Sequence, residues 1–308
     1  MKKILLGFGG LILTIFSGCS ASMGQEQSYP QIVATFLPIY MFSQAVAGEN
    51  VEVLIAPGTE PHEYQAKPAD AIAIASADVL IKNGLGFEEF LDKLIASAGN
   101  SELIEIDSSK GIEAIEEEEH EGEHEEHEGE HEEHHHHHHE GGNPHVWLDP
   151  VLAQQQVINI RDGLIEADSN NAEKYTANAA VYLQKLQELD REFQTRLAPI
   201  QGCKFIAFHD AYPYLAKRYG LQQMAVVELP EDNIAPRDLQ RVINAAKQFQ
   251  VKGFLSEKGA NDSRIEQISK DLGLPVKVLD PIETGPLDPE HYFTAMRKNL
   301  VALEEVCR

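Results

Sequence analysis

The sequence predicts an α/β protein made of two lobes, each a parallel sheet flanked by helices, joined by one long spine helix. In both halves of the chain, short apolar runs rich in β-branched residues alternate with segments of helical periodicity. This alternation is typical of parallel sheets covered by helices on both faces. A single long amphipathic stretch separates the two halves. The 308 residues are enough to build two hydrophobic cores.

The N-terminal lobe is predicted within residues 19–168. Its strands are predicted at Gln31–Phe36, Val51–Ile55, Val79–Lys82 and Leu103–Ile106. Its helices are predicted at Ile39–Ala47, Pro68–Ser76 and Phe87–Ala98. The C-terminal lobe, residues 200–308, repeats this alternation. Its strands are predicted at Lys204–Phe208, Met224–Glu228, Gly253–Ser256 and Val276–Leu279. Its helices are predicted at Tyr212–Tyr219, Pro236–Phe249, Arg264–Leu272 and Pro289–Val306.

The connection between the lobes, residues 169–199, is predicted to be one helix over Asn170–Ala198. Apolar residues recur there at steps of three and four, which is the period of one buried helix face. Ser169 is the expected N-cap and Pro199 the expected stop. At 1.5 Å per residue the helix would span roughly 43 Å. We therefore expect a stiff spine that limits hinging between the lobes.

Residues 1–18 are predicted to be a secretory signal, because a dibasic start precedes an apolar stretch too short for a stable membrane span. Cys19 follows among small residues that resemble the lipobox of bacterial lipoproteins, although Phe16 replaces the usual aliphatic residue. We expect a protein of the periplasm or cell surface, anchored by lipid at Cys19, with simple cleavage nearby as the alternative. In such an oxidising compartment Cys203 and Cys307 are expected to form a disulfide, and two buried thiols are the alternative.

The chain is strongly acidic, with 25 Lys and Arg against 50 Asp and Glu and a formal net charge of −25. Such a charge argues against nucleic acid as a partner. Much of the excess lies in Glu116–Glu140, which holds 13 of the 50 acids and ten of the 14 histidines. These ten are His120, His124, His127, His131, His134, His135, His136, His137, His138 and His139.

Residues 113–142 are predicted to form a disordered loop, because Glu, His and Gly cannot bury apolar surface. Its imidazoles and acids together indicate an auxiliary, low-affinity zinc collector. An expression tag and a purely solubilising charge run are the alternatives. The internal position and the repeated Glu-Gly-Glu-His units argue against a tag. We expect the loop to be dispensable for tight zinc binding by the histidines outside it.

Four histidines lie outside the acidic stretch, and His291 among them is expected at the surface. His62, His145 and His209 lie in loops or at strand ends, as does Asp280. Ligands of parallel α/β sheets bind beyond the carboxyl ends of the strands, so these four side chains can meet across a cleft between the lobes. A nitrogen-rich set favours zinc over manganese. For each histidine alone, a loop or capping role is the alternative.

The segments around these residues closely resemble the four metal-contacting segments of the cluster A-I, or ZnuA-type, solute-binding proteins of bacterial metal ABC importers. They read PGTEPHEYQAKPAD, NPHVWLDP, FHDAYPYLAKRYG and VLDPIETG, and the resemblance covers residues 29–308. It implies that His62, His145 and His209 are zinc ligands. It puts Asp280 in the fourth position, shared with or replaced by water. Manganese-type relatives tend to carry a carboxylate where His209 stands, so the histidine points to zinc.

Further acids near these segments are candidates for supporting roles. Some zinc-binding members carry an acid directly before the first ligand, whereas this chain has Glu60 one residue earlier, which leaves the fourth ligand open. Glu257, at another strand end, is expected to accept an imidazole N–H or to compete as a ligand, with a solvated loop acid as the alternative. Asp149 and Asp210 are expected to cap helices or support ligands, and Trp147 to pack beside the site.

The sequence therefore predicts an extracytoplasmic, monomeric, high-affinity zinc receptor that delivers Zn²⁺ to the membrane permease of an ABC importer, and not an enzyme. A receptor of the same fold that binds manganese or iron is the first alternative. A zinc hydrolase is the second, although the sequence contains neither HExxH nor GxSxG. A zinc buffer that works through the His-rich loop is the third.

Overall fold

The computed structural model describes residues 29–48, 50–116, 142–227, 236–257 and 263–308. Within these residues, two four-stranded parallel sheets lie in two lobes separated by a long helix, which confirms the predicted fold class. The secretory signal, Cys19 and all ten histidines of the acidic stretch lie outside the described residues, so the expectations about them stay predictions, as do the domain boundaries. In the part of the chain that is described, no helix has the length and apolar character needed to cross a membrane.

The N-terminal lobe is built on one parallel sheet. Its strands are β1 (Ile32–Ala34), β2 (Val51–Val53), β3 (Val79–Lys82) and β4 (Ile104–Asp107). They pair in the order β2-β1-β3-β4. Its helices are α1 (Leu37–Ala47), α2 (Pro68–Ser76) and α3 (Leu91–Ala98). Helix α3 begins later than predicted because Glu88 belongs to the preceding loop, where its carboxylate accepts hydrogen bonds from the backbone N–H groups of Asn83 and Gly84.

Helix α4 (Pro150–Ala167) is absent from the sequence prediction. Its buried face includes Gln156, which interrupts the apolar stripe by which a helix is recognised. The sequence nevertheless contains signals for the start of this helix. Asp149 caps the helix by accepting a hydrogen bond from the N–H of Val151 at 2.8 Å, and Pro150 stands in the first turn. The capping role expected for Asp149 is confirmed.

Helix α5 (Ala172–Leu197) is the predicted spine; its 26 residues span about 39 Å. Its buried residues are Tyr175, Ala179, Tyr182, Leu186, Leu189, Phe193 and Leu197, which are the stripe read from the sequence. The prediction of Ser169 as N-cap is wrong, because a short 3-10 turn, Ser169–Asn171, comes before the helix. Pro199 lies in a second 3-10 turn that follows the helix end, as a stop signal should.

The C-terminal lobe repeats the topology of the first. Its strands are β5 (Lys204–His209), β6 (Gln222–Val227), β7 (Phe254–Glu257) and β8 (Val276–Leu279), in the order β6-β5-β7-β8. Its helices are α6 (Pro213–Tyr219), α7 (Pro236–Phe249), α8 (Ser263–Leu272) and α9 (Pro289–Cys307).

One apolar core continues from the first lobe through the spine into the second, with residues from β1, α1, α4, α5, β5 and α9. At its C-terminal end Cys203 and Cys307 form a disulfide, with Cα atoms 5.7 Å apart. The predicted pairing is therefore present. It joins the end of α9 to the residue before β5 and so fixes the last helix against the second sheet.

Candidate metal centre

The loop between β2 and α2 carries His62. Its shape depends on Asp70 in the first turn of α2, whose carboxylate accepts a hydrogen bond from the Tyr64 hydroxyl at 2.7 Å. Glu60 accepts a hydrogen bond from the backbone N–H of His62 at 3.4 Å. The imidazole of His62 packs edge-on against Phe87, with ring centroids 5.0 Å apart. These contacts, all within the first lobe, hold the His62 ring at the carboxyl edge of the first sheet.

His209 is the last residue of β5, and Glu257 is the last residue of β7. The parallel register pairs Ile206 with Phe254, so the same offset places His209 beside Glu257 at the carboxyl edge of the sheet. Nδ1 of His209 lies 2.8 Å from Oε2 of Glu257. Strands β5 and β7 flank the point where the strand order reverses, which is the usual ligand edge of an α/β sheet.

His145 lies directly before a 3-10 turn that contains Trp147. The indole N–H of Trp147 donates a hydrogen bond to the carbonyl of Pro281 at 2.7 Å. The hydroxyl of Tyr292 donates to the carbonyl of Trp147 at 2.6 Å. Both partners belong to the C-terminal lobe. His145 is therefore fastened to the second lobe, and the side chain of Asn83 in the first lobe donates to the carbonyl of the preceding Pro144 at 3.0 Å.

The carboxylate beside these histidines is Glu283, where the sequence led us to expect Asp280. Oε1 of Glu283 lies 3.3 Å from Nε2 of His62 and 3.4 Å from Nε2 of His145. Asp280 instead accepts a hydrogen bond from the backbone N–H of Ile282 at 2.9 Å, which closes a turn. Ile282 has φ 64°, a left-handed conformation that is rare for a β-branched residue. This turn presents Glu283 to the histidines.

One ligand atom from each of His62, His145, His209 and Glu283 lies within 4.8 Å of every other. Nε2 of His145 lies 3.2 Å from Nε2 of His62 and 3.3 Å from Nε2 of His209. The four side chains are at most 2% exposed. Buried nitrogens whose lone pairs converge need a proton or a cation between them. The group is therefore suited to hold a metal ion.

Charge and burial set the protonation of the group. Burial lowers the pKa of His145 to about 3 despite the nearby Glu283 carboxylate, so this imidazole is neutral at pH 7. Burial acts in the same direction on His209, but the charge and hydrogen bond of Glu257 outweigh it and raise the pKa of His209 to about 9. Burial alone would raise the pKa of Glu283, but the charge and hydrogen bond of His62 and the proximity of His145 hold it below its usual value. A metal ion that binds Nε2 of His209 must therefore displace the proton from that nitrogen.

The remaining predicted residues lie around this group. Trp147 is fully buried, with its ring centroid 5.0 Å from that of His145, which confirms its expected place beside the site. Burial raises the pKa of the Glu60 carboxyl to about 7, and the charge of Glu283 acts in the same direction. Asp210 accepts hydrogen bonds from the side chain of Asn143.

Comparison with known proteins agrees with this geometry. A family model described as ZnuA, zinc-uptake complex component A, periplasmic, matches residues 32–306. The chain belongs to the ZnuA family. Members of this family are metal-binding receptors and not enzymes.

Three relatives show the range of this family. The chain is 33% identical over 306 residues to the high-affinity zinc uptake system protein ZnuA of Bacillus subtilis, covering 96% of this chain and 93% of that protein. It is 33% identical over 313 residues to the zinc-binding lipoprotein AdcA of Streptococcus pneumoniae strain R6, covering 99% of this chain but only 61% of AdcA. It is 29% identical over 312 residues to the manganese-binding lipoprotein MntA of Halalkalibacterium halodurans, covering 97% of each.

The ZnuA-family fold is also shared with solved structures. The crystal structure of Zn(II)-bound AdcA from Streptococcus pneumoniae has a TM-score of 0.75 and 28% identity, covering 91% of this chain and 58% of that chain. This chain thus spans less than two thirds of AdcA.

Sequence reasoning missed Glu283 and Asn143. Glu283 follows Asp-Pro-Ile, and the Asp-Pro pair is a turn signal that places the useful carboxylate three residues after Asp280. Asn143 stands two residues before His145, a spacing at which an Asn side chain can accept the backbone N–H. Both signals can be recognised in the local sequence, but neither indicates which side chain faces a ligand.

We expect Glu283→Gln to weaken zinc binding at this group strongly, because the amide keeps the shape of the side chain and removes its negative charge. The loss should exceed the roughly 10–100-fold that removal of a supporting partner typically costs. Asp280→Asn is the matched control, since an amide oxygen can still accept the N–H of Ile282. Competition titration against a chelator measures both variants. A larger loss from Asp280→Asn than from Glu283→Gln would contradict the assignment.

Proposed function

We propose that this protein is an extracytoplasmic receptor that binds one Zn²⁺ as cargo at His62, His145, His209 and Glu283 and hands it to the permease of an ABC importer. The observation that carries the proposal is the convergence of three imidazole nitrogens and one carboxylate oxygen within 4.8 Å. The zinc-uptake description of the family and the zinc-binding names of two relatives support it.

The spacing of the ligand atoms is compatible with a zinc ion. Zinc binds nitrogen and oxygen ligands at about 2.0–2.1 Å with tetrahedral geometry, so two ligand atoms lie about 3.3–3.4 Å apart. The pairs formed by His145 with His62, His209 and Glu283 measure 3.2, 3.3 and 3.4 Å, and His62 lies 3.3 Å from Glu283. Four of the six edges thus fit a tetrahedron around one zinc ion, and the other two, which both involve His209, lie within 4.8 Å.

The net charge of the proposed site with its zinc ion is also small, as suits an ion that is transported. Neutral imidazoles and the Glu283 carboxylate leave a net charge of about +1 around Zn²⁺. Glu257, bonded to His209, supplies a further negative charge next to the group. A fourth protein ligand closes the position that a catalytic zinc keeps open for water, which argues against the zinc hydrolase. We infer that Glu257 supports His209 as an acceptor and is not itself a ligand.

The acidic His-rich segment is, in this proposal, an auxiliary collector of zinc. The residues on either side of it are held together, because the N–H of Asn143 donates to the carbonyl of Ile115 at 2.9 Å. Joining Glu116 directly to Gly142 would make Ile115-Glu116-Gly142-Asn143 a four-residue turn that already contains this closing hydrogen bond. Gly142 has φ 79°, the value that the third residue of a type II turn requires.

Lipid anchoring at Cys19, export by residues 1–18 and a monomeric state belong to the same proposal. The anchoring and the export agree with the lipoprotein and periplasmic descriptions of relatives and family. The stiff α5 spine, packed against α1, α4 and α9, favours small rearrangements over wide hinging when zinc is released.

Deletion of residues 117–141 should leave one tight zinc site per chain and remove weaker binding, because the deletion closes a turn and leaves the four ligands in place. Adding His62→Ala to the deletion should abolish the tight site, whereas adding His291→Ala should not. Calorimetric titration of the three proteins gives stoichiometry and affinity. Loss of nearly all zinc binding on deletion alone would favour the zinc buffer.

The manganese receptor is the second candidate, because MntA is 29% identical over 97% of this chain. Three imidazoles favour zinc, which also precedes manganese in the usual affinity order. Protein purified without added metal should therefore contain zinc, and a large molar excess of Mn²⁺ should not displace it. Elemental analysis before and after dialysis against Mn²⁺ measures this. Retention of manganese in preference to zinc would replace the zinc assignment.

A further inference from the structure

The side chain of Asn143 contacts two of the metal-binding segments at once. It is 2% exposed and stands two residues before His145. Its Oδ1 accepts a hydrogen bond from the backbone N–H of His145 at 3.1 Å and lies 3.1 Å from Nδ1 of the His145 ring. Its Nδ2 donates to the carbonyl of Asp210 at 2.6 Å and to the Asp210 carboxylate at 3.2 Å.

These partners fix the orientation of the Asn143 amide. A backbone N–H can only donate, so the amide atom that faces the N–H of His145 is the oxygen. A carbonyl can only accept, so the amide atom that faces Asp210 is the nitrogen. Because Oδ1 has no proton to give, Nδ1 of His145 must carry the ring proton. Nε2 then keeps its lone pair, and Nε2 is the atom that lies among the ligands.

We propose that Asn143 is a positioning residue that holds His145 in the Nδ1–H tautomer and directs its Nε2 lone pair at the metal ion. The proposal rests on the proposed zinc site and deepens it. Metal-bound imidazoles commonly give their second ring proton to an oxygen acceptor, which orients the ring. His209 has the Glu257 carboxylate for this purpose. His145 has a neutral amide, which orients the ring without adding charge.

The same amide also sets the spacing between two ligands. Asp210 directly follows His209, so the bond from Asn143 to its carbonyl ties the end of β5 to the segment that carries His145. The Asn143 backbone is itself held. The hydroxyl of Tyr214 donates to the Asn143 carbonyl at 2.6 Å and accepts the N–H of Ile115 at 2.9 Å. The two ligands are therefore set relative to each other before a metal ion arrives.

The test compares Asn143→Ala, which removes the acceptor, with Asn143→Asp, which keeps an acceptor at Nδ1. Asn159→Ala is the matched control, because Asn159 also donates through its amide to two backbone carbonyls, those of Ser108 and Lys110, in the first lobe. Two quantities are measured: the protonated ring nitrogen of His145, by nitrogen-15 NMR of the metal-free protein, and zinc affinity by chelator competition.

Asn143→Ala should shift the ring proton toward Nε2 and lower zinc affinity roughly 10–100-fold, with stoichiometry kept at one. Asn143→Asp should keep the proton on Nδ1 but also lower zinc affinity, because a carboxylate cannot donate to Asp210, and Asn159→Ala should change neither quantity. An unchanged tautomer in Asn143→Ala would overturn the proposal. If that variant does not fold, a proton on Nε2 in Asn143→Asp would overturn it equally. The tautomer is read without zinc, so absence of tight zinc binding in the unaltered protein would reject the proposed function separately.

Discussion

The close approach of three imidazole nitrogens and one carboxylate, buried between the lobes, is the interaction on which the rest of the structure depends. Such a group is unfavourable without a cation, because convergent lone pairs repel and buried charges lose their hydration. The hydrogen bond between His62 and Glu283 offsets part of that cost. A tetrahedral ion satisfies all four ligand atoms together. The scaffold must therefore be stiff enough to keep the group assembled in its absence.

The stiffness comes from the way the two lobes are joined. The segment with His145 follows the first lobe in the chain but is bonded to the second, through Trp147 and through an ion pair between Asp149 and Arg218. Helix α5 packs one apolar stripe into the core shared by both lobes. His62 is positioned by contacts with Glu60 and Phe87 of the first lobe, whereas the segment of His145 is bonded to the first lobe as well as to the second. In the proposed receptor, a small displacement of the His62 loop would remove one of four ligands and weaken the hold on zinc.

The sequence predicts the layers of the fold because they follow from hydrophobic periodicity, and it predicts the pairing of Cys203 with Cys307 because exported cysteines in even number tend to be bridged. It also singles out the three histidines that converge. It does not predict α4, whose buried face includes the polar Gln156. Nor does it predict Glu283, because the choice between two carboxylates of one loop depends on a left-handed residue, Ile282. Local pattern cannot reveal such backbone geometry.

Zinc K-edge X-ray absorption of the protein lacking residues 117–141, loaded with one equivalent of zinc, tests the central claim most directly. The structure leads us to expect four nitrogen or oxygen scatterers at about 2.0–2.1 Å. Outer-shell scattering should correspond to three imidazoles, and the spectrum of the Glu283→Gln variant should differ. Fewer than three imidazoles, a sulfur scatterer at about 2.3 Å, or six oxygen ligands would contradict a zinc site built from His62, His145, His209 and Glu283.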